Sequence, residues 1–535
     1  MGLVTARGIA GGAVLIGAIT VLARVTGFAK QYAFAQTVGT NCLATAYMTA
    51  NQIPNIVFEV VVGGALAGMV VPVLAGVPRE RAGRIASALL TWVLVVLVPI
   101  AVLIALLAGP VIGLFLGGDV DGCTDHLAAL GEVATRMLVV FAPQIPLYGV
   151  AVVLYGVLQA HDRFAGPAVA PLVSSIVVIV AYLLFVPLGG GHRDVEGLPM
   201  AGELALSAGT SLGVLSLVLT VIGPVGRLGL RWRPTLRFPA GVAGRVRRLA
   251  LAGIAGLLAQ QAAMTVALLL ANKVVGGGAI AAYNYAWAIY LVPYAVLAVP
   301  IATSAFPRLS AQSGEPEEFA ALAARTTRAV VLVSGLAAGV LAAASGPGAV
   351  VFLADKSDVP AGELAAAIAL FAPGLIGYGL IAHLSRVLYA AGQGRAVATG
   401  TVAGWLVVMV AQTVLVLVLP AEWGIAAMAL GMSIGMSVGG GLLLAFVVRA
   451  RGGAAAAGLP RALGAAVAGG AAGYLAGAAA VGLLGAESLW ANAVAAVLGA
   501  VVALAAGVAV VAVIDRPDAA SVAGMLRRRG SGAGV

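Results

Sequence analysis

The chain has 535 residues, of which 62% are hydrophobic and 9% charged, with 30 Lys and Arg against 20 Asp and Glu for a net charge of +10. A soluble domain carries about 25% charged residues. With a mean hydropathy of +1.09, the composition excludes a soluble globular protein and points to an all-α polytopic membrane protein.

Apolar runs between charged or Gly/Pro breaks predict about fourteen transmembrane helices, at 9–38, 43–75, 84–117, 128–160, 165–188, 201–225, 247–275, 279–311, 318–353, 363–391, 395–420, 423–449, 460–485 and 489–515. The first follows Arg7, and Ala33-Phe34-Ala35 mimics a signal cleavage site. Arg24 and Lys30 interrupt its apolar region, however, and the later spans need a retained first helix, so it is read as a span. An unpaired cation at mid-bilayer costs a few kcal/mol. Arg24 and Lys30 are six residues apart, about 120° around an ideal helix, so a straight span cannot aim both inward. Gly27 lies between them, and Gly11, Gly12 and Gly17 precede them, which gives the span places to bend. Arg24 is the deeper candidate; Lys30 either joins it or snorkels to the outer interface.

In the second span Tyr47, Asn51, Asn55 and Glu59 recur every four residues, with Gln52 beside them and Pro54 in the ladder. Such a stripe faces a wet cavity or forms a hydrogen-bonded seam with another helix. In the fourth span Glu132 and Arg136 form a self-neutralising i,i+4 pair. In the seventh, Gln261, Thr265 and Asn272 share a face, with Lys273 snorkelling at the outer end. The eighth carries Tyr283, Trp287, Tyr290 and Tyr294 at 4-3-4 spacing, a cavity wall or plain packing. In the tenth, His383 and Arg386 sit one turn apart, lining the cavity or anchoring at the cytoplasmic interface.

With the N-terminus inside, 23 of the 30 basic residues fall in cytoplasmic segments, and only Arg193 and Lys356 lie in external loops. Eleven of the 20 acids, Asp119, Asp121, Asp125, Asp355 and Asp358 among them, fall outside. This positive-inside pattern places both termini in the cytoplasm. The basic run 227–248 meets anionic headgroups and gives no reason to invoke nucleic acid. Cys42 and Cys123 both fall outside; an external disulfide and two free thiols remain open. No HExxH or Walker-type loop occurs, and His126, His161, His192 and His383 make no metal-ligand spacing. The expectation is a carrier that is not an enzyme and uses no cofactor or metal; no selectivity-filter signature marks it as a channel.

The chain repeats itself. "FAPQIPLYGVAVVLYGVLQA" (141–160) and "FAPGLIGYGLIAHLSRVLYA" (371–390) are identical at nine of twenty positions, offset by 230. A weaker echo pairs "ATAYMTANQI" (44–53) with "AAYNYAWAI" (281–289), offset near 236. The stretches fall in the fourth and tenth, second and eighth spans, so the unit is six helices inserted in parallel, related by a pseudo-twofold axis along the membrane normal. The expected organisation is a six-helix lobe over 1–226, a basic linker over 227–248, a second lobe over 249–450, and two added helices with a basic tail over 451–535. Two lobes around a cavity suit alternating access. Beyond the residues counted with the cytoplasmic and external segments, the predicted spans hold five cations, Arg24, Lys30, Arg136, Lys273 and Arg386, against Glu59 and Glu132, so an anionic ligand is expected.

"ARVTGFAKQYAFAQTVGTNCLATAYMTANQIPN", followed by "GGALAGMVVPVLA", resembles the opening of the MurJ/MviN family, within the multidrug/oligosaccharidyl-lipid/polysaccharide exporter superfamily. The eighth span, "YAWAIYLVPYAVLAVPIATSAFPRLS", is similar to the family's corresponding span. The resemblance implies a lipid II flippase of the bacterial plasma membrane, serving peptidoglycan synthesis and cell shape. It implies a cationic cavity for the diphosphate-sugar headgroup, a groove for the tail beside the last two helices, and coupling to an ion or the membrane potential. On that reading Arg24 and Lys30 hold phosphate, and Asn51, Gln52 and Asn55 bind the headgroup. Glu59, Gln261, Thr265, Asn272 and Arg386 serve the cavity or a coupling ion. Expected partners are a lipid-linked anionic substrate, membrane lipids and cell-wall synthesis enzymes, with the carrier a monomer. The chain departs from the family pattern at Lys30, Gln31, Phe58-Glu59, Gly63-Gly64-Ala65 and Trp287-Ala288. Two alternatives therefore stand beside lipid II: another lipid-linked glycan, or a drug or metabolite exported against a cation with Glu59 as the protonation site.

Overall fold

The computed structural model describes residues 2–60, 67–74, 76–118, 120–191, 194–239, 242–354 and 356–520, with the side chains of 2–18, 67–69, 245 and 247–253 left out. Asp119, His192, Arg193, Asp355, the Gly63-Gly64-Ala65 stretch and the tail beyond 520 lie outside the described residues, as do the side chains of Arg7, Arg245, Arg247 and Arg248. Contacts divide the chain into two compact units, Met1–Ala281 and Ala282–Val535.

The first unit contains α1 (Gly2–Thr37), α2 (Cys42–Phe58), α3 (Ala67–Leu74), α4 (Arg79–Leu106), α5 (Ala108–Leu116), α6 (Leu127–Phe141), α7 (Gln144–Ala160), α8 (Ala165–Leu188), α9 (Met200–Gly226) and α10 (Val242–Leu270). From its boundary onward run α11 (Ala279–Pro293), α12 (Val299–Ala311), α13 (Pro316–Ala343), α14 (Ser345–Leu353), α15 (Ala361–Phe371), α16 (Gly374–Ala390), α17 (Gly394–Val418), α18 (Gly424–Arg451), α19 (Leu459–Leu484) and α20 (Leu489–Ile514). Among the described residues eleven segments are long and apolar enough to cross a membrane, and the α15–α16 pair, bent by 43°, makes a twelfth. These twelve match the third to fourteenth predicted runs, while α1 and the α2–α3 pair occupy the first two. The protein is all-helical and multi-pass.

The repeat is visible in the helices themselves. α4 and α13 have 28 residues each, α5 and α14 nine each, and α7 and α16 seventeen each. The Phe-Ala-Pro motif of both copies falls at a helix break, between α6 and α7 and between α15 and α16. Proline removes a backbone N–H and leaves carbonyls in the preceding turn without helical partners. A serine on the last helix of each repeat answers one of them. Ser211 of α9 donates to the Val140 carbonyl at 2.9 Å, and Ser433 of α18 to the Leu370 carbonyl at 2.6 Å. A further echo emerges once the helices are aligned: "AGPVIGLFL" of α5 and "SGPGAVVFL" of α14 share four of nine residues, each opening a short helix at Gly-Pro.

Side-chain pairs repeat too. Tyr47 packs on Phe141 with ring centroids 5.5 Å apart, and Tyr283 on Phe371 at 5.4 Å. Phe58 packs on Tyr148 at 4.2 Å, and Tyr294 on Tyr378 at 4.3 Å. Residues 59–60 are π-helical, and α11 likewise passes into a π-helical turn at Tyr294–Ala298.

α10, the first helix of the second sequence repeat, packs within the first unit. The Asn272 side-chain amide donates to Thr49 Oγ1 at 2.9 Å, and the Gly278 N–H to Thr45 Oγ1 at 2.8 Å. Cys42 and Cys123 are joined by a disulfide, Cα to Cα 5.8 Å, which settles the alternative left open by the sequence. Beside it the Gly277 N–H donates to the Asp121 carbonyl at 2.6 Å, and a Cβ on Gly277 would come within 2.7 Å of Cys123 Sγ.

In the second unit α19 and α20 pack on α13 through small residues. A Cβ on Gly339 would meet the Gly470 carbonyl oxygen at 2.3 Å, so only glycine allows this approach. One end of the contact is clamped by Arg328, which donates through Nε to Asp518 at 2.6 Å and through Nη1 to the Ala457 carbonyl, and by Arg461 on Asp515 at 2.8 Å.

Candidate functional site

α1 is one continuous helix through Gly27 and packs on α8. Arg24 is exposed and Lys30 half-buried. Neither has an ion pair or hydrogen bond among the described residues. The acids of the first unit are engaged elsewhere or lie apart. Glu203, 5% exposed, receives both Nε and Nη2 of Arg136, at 3.0 and 2.8 Å, while Glu132 stands 3.7 Å from the same guanidinium. The predicted Glu132–Arg136 pair is thus present but secondary. The signal that sequence reading passed over was Glu203 in the first turn of the sixth span.

The stripe on α2 divides in two. Tyr47, 1% exposed, shares hydroxyl hydrogen bonds with Tyr182 at 2.8 Å and Thr210 at 2.7 Å, so this end of the stripe is a seam with α8 and α9. Asn51, Gln52, Asn55 and Glu59 are half-buried. Asn51 Oδ1 is shut away with no hydrogen-bond partner among the described residues, and Asn55 Oδ1 accepts from the Tyr148 hydroxyl at 3.4 Å. Glu59 stands where α2 leaves α-helical geometry, a π-turn of the kind that often marks functional positions, and has no ion pair among the described residues.

On α10 and the turn after it, Gln261 and Asn272 are buried, and Thr265 is half-buried with its hydroxyl on the Gln261 carbonyl at 2.8 Å. Asn272 is committed to Thr49, which makes this face a seam with α2; Lys273 is exposed. The structure therefore gathers Asn51, Asn55, Glu59 and Tyr148 on α2 and α7. Tyr148 is not among the predicted site residues, and the signal for it is its identity with Tyr378 across the two repeat stretches.

In the second unit His383 is fully buried and bonded to Thr326 Oγ1 at 3.0 Å, while Arg386, half-buried, turns its Nη1 onto the Ala382 carbonyl of its own helix. The aromatic stripe packs against Phe371 and Tyr378, and Gln412 donates to the Tyr283 hydroxyl at 3.0 Å, standing where Tyr182 stands in the first unit. Among the described residues no group of three His, Cys, Asp or Glu is placed to hold a metal.

The chain is similar to known proteins. The family model described as lipid II flippase MurJ matches residues 34–505. The lipid II flippase MurJ of Burkholderia cenocepacia is 27% identical over 386 residues, 70% of this chain and 72% of that one. A Synechocystis protein named as a probable lipid II flippase MurJ is 28% identical over 228 residues, and the match spans 42% of each chain. In fold, a solved lipid II flippase MurJ in an inward closed conformation superposes with TM-score 0.71 at 17% identity, over 94% of this chain and 99% of that one. An inward-facing multidrug resistance MATE family transporter of the MOP superfamily gives TM-score 0.66 at 15% identity, over 83% and 99%. With the family match running from α1 into α20, this chain belongs to the lipid II flippase MurJ family.

Proposed function

We propose that this chain carries lipid II, a polyprenyl-diphosphate-linked peptidoglycan precursor, from the cytoplasmic to the outer leaflet by alternating access of lobes 1–226 and 249–450. The observation that carries the reading is the pair of cations on α1, Arg24 and Lys30, without a counter-charge among the described residues, in a chain matched to this family over 34–505. A cation inside a membrane protein needs water or an anion beside it, and a diphosphate offers oxygens that a guanidinium grips in a fork. Asn51, Gln52 and Asn55, half-buried with amide groups to offer, bind sugar or peptide of the headgroup. Glu59 takes the coupling cation, with Arg386 on the path in the second lobe. Gln261, Thr265 and Asn272 hold α10 against α2 behind the stripe. The charge bias puts both termini in the cytoplasm of a bacterial plasma membrane, with the basic 227–248 run on anionic headgroups. The carrier is a monomer without catalytic chemistry, supplied with substrate by cell-wall synthesis enzymes.

The test is rescue of a bacterium depleted of its own lipid II flippase. The wild-type gene is expected to restore growth, and Arg24→Ala to lower transport at least tenfold at equal membrane expression. Undiminished rescue by Arg24→Ala would overturn the role of the arginine. Failure of the wild-type gene despite good expression would move the cargo to another lipid-linked glycan.

A further inference from the structure

Six aromatic rings of the second unit are in mutual contact: Tyr283, Trp287, Tyr290 and Tyr294 from α11 and the π-turn after it, Phe371 from α15, and Tyr378 from α16. Tyr283, Tyr290 and Phe371 are buried and form the base. Trp287, Tyr294 and Tyr378 are half-buried and present ring surface outward, with Trp287 and Tyr378 centroids 5.9 Å apart and Tyr294 and Tyr378 4.3 Å apart.

The internal repeat says which way this surface faces. Tyr283 occupies the place of Tyr47 and Tyr294 that of Phe58, each packing on the matching partner at nearly the same distance. Trp287, four residues after Tyr283, therefore occupies the place of Asn51, four after Tyr47. That place belongs to the Asn51-Asn55-Glu59 stripe, which is too polar to meet hydrocarbon. By the repeat, Trp287 takes the helix face that the polar stripe takes in the first copy.

Two polar groups on the patch are left over. Among the described residues the Tyr290 hydroxyl, buried at the base, has no hydrogen-bond partner, and neither has the indole N–H of the half-buried Trp287. Buried tyrosine and tryptophan ordinarily find partners for these groups. Neither a hydrocarbon tail nor plain packing would supply them.

We propose that Trp287, flanked by Tyr378 and Tyr294, is a stacking platform for a pyranose ring of the carried lipid's headgroup. A sugar ring presents a face of weakly positive C–H groups, which suits the negative face of an aromatic ring, and a rim of hydroxyls, which suits a nearby indole N–H and phenol O–H. The platform is confined to the second repeat, since the first has Asn51 at the central position. Sugar stacking and diphosphate gripping therefore belong to different halves of the sequence. This inference rests on the substrate reading above.

The experiment uses the full chain, purified into lipid nanodiscs, and measures binding of two probes, lipid II and undecaprenyl diphosphate, which lacks sugar. Trp287→Ala is expected to weaken lipid II binding about tenfold and to leave undecaprenyl diphosphate within twofold. Trp287→Phe, which keeps a ring, retains most of the affinity, whereas Trp287→Leu, which fills the volume without a π face, loses it. The Phe-against-Leu comparison decides the matter even if the alanine variant fails to fold. Equal loss for both probes, no loss for lipid II, or equal behaviour of Phe and Leu would overturn the platform. A wild-type chain that binds neither probe would overturn the substrate reading, and the platform with it.

Discussion

Arg136 shows how partner geometry ranks two nominally similar contacts. Glu132 lies one turn away on the same helix, 74% exposed and 3.7 Å distant, where water competes for both charges. Glu203 is 5% exposed and takes two parallel hydrogen bonds, so removing the arginine would strand a carboxylate with little solvent. We expect Arg136→Ala to cost about 2 kcal/mol of stability, because the guanidinium is itself 46% exposed and water screens part of the pair. Glu132→Ala should cost less than about 0.5 kcal/mol. Unfolding of the two variants in the same detergent is the comparison, and equal losses would refute the ranking. Arg24 and Lys30 are the opposite case, cations with no partner among the described residues, and there the expected loss is in transport rather than stability.

At the scale of elements, breaks and close approaches carry the architecture. Each Phe-Ala-Pro break frees carbonyls that helix geometry cannot satisfy, and Ser211 or Ser433 on a neighbouring helix completes the bonding, so the bend and its neighbour are specified together. α19 reaches α13 only because Gly335 and Gly339 present bare backbone. We expect Gly339→Leu to push α19 away, lowering stability by about 2 kcal/mol or more and exposing the 452–458 connection to protease. Gly441→Ala, whose added methyl meets nothing within 4 Å, should be neutral or slightly stabilising. A Gly339→Leu variant as protease-resistant as wild type would show that the small-residue contact does not hold these helices.

Across the whole molecule, the repeat that sequence identity showed in two pairs of stretches extends to helix lengths, breaks, ring pairs and hydrogen bonds, and the two copies then diverge where ligand chemistry is expected, Asn51 in one and Trp287 in the other. Class, repeat period and the places of the twelve spans seen among the described residues were legible because hydrophobic length and fixed offsets are properties of the chain alone. The uncompensated cations and the α2 stripe were legible for the same reason: charge in an apolar run stands out without a fold. What only the tertiary structure decided is who meets whom. Tyr47 and Asn272 look like cavity residues on a helical wheel, yet Tyr182, Thr210 and Thr49 turn them into seams. Glu203 displaces Glu132, and Cys42 finds Cys123 across 81 residues. A helix face recorded in sequence says that a side chain needs a polar neighbour; whether that neighbour is water, a ligand or another helix depends on packing between segments far apart in the chain.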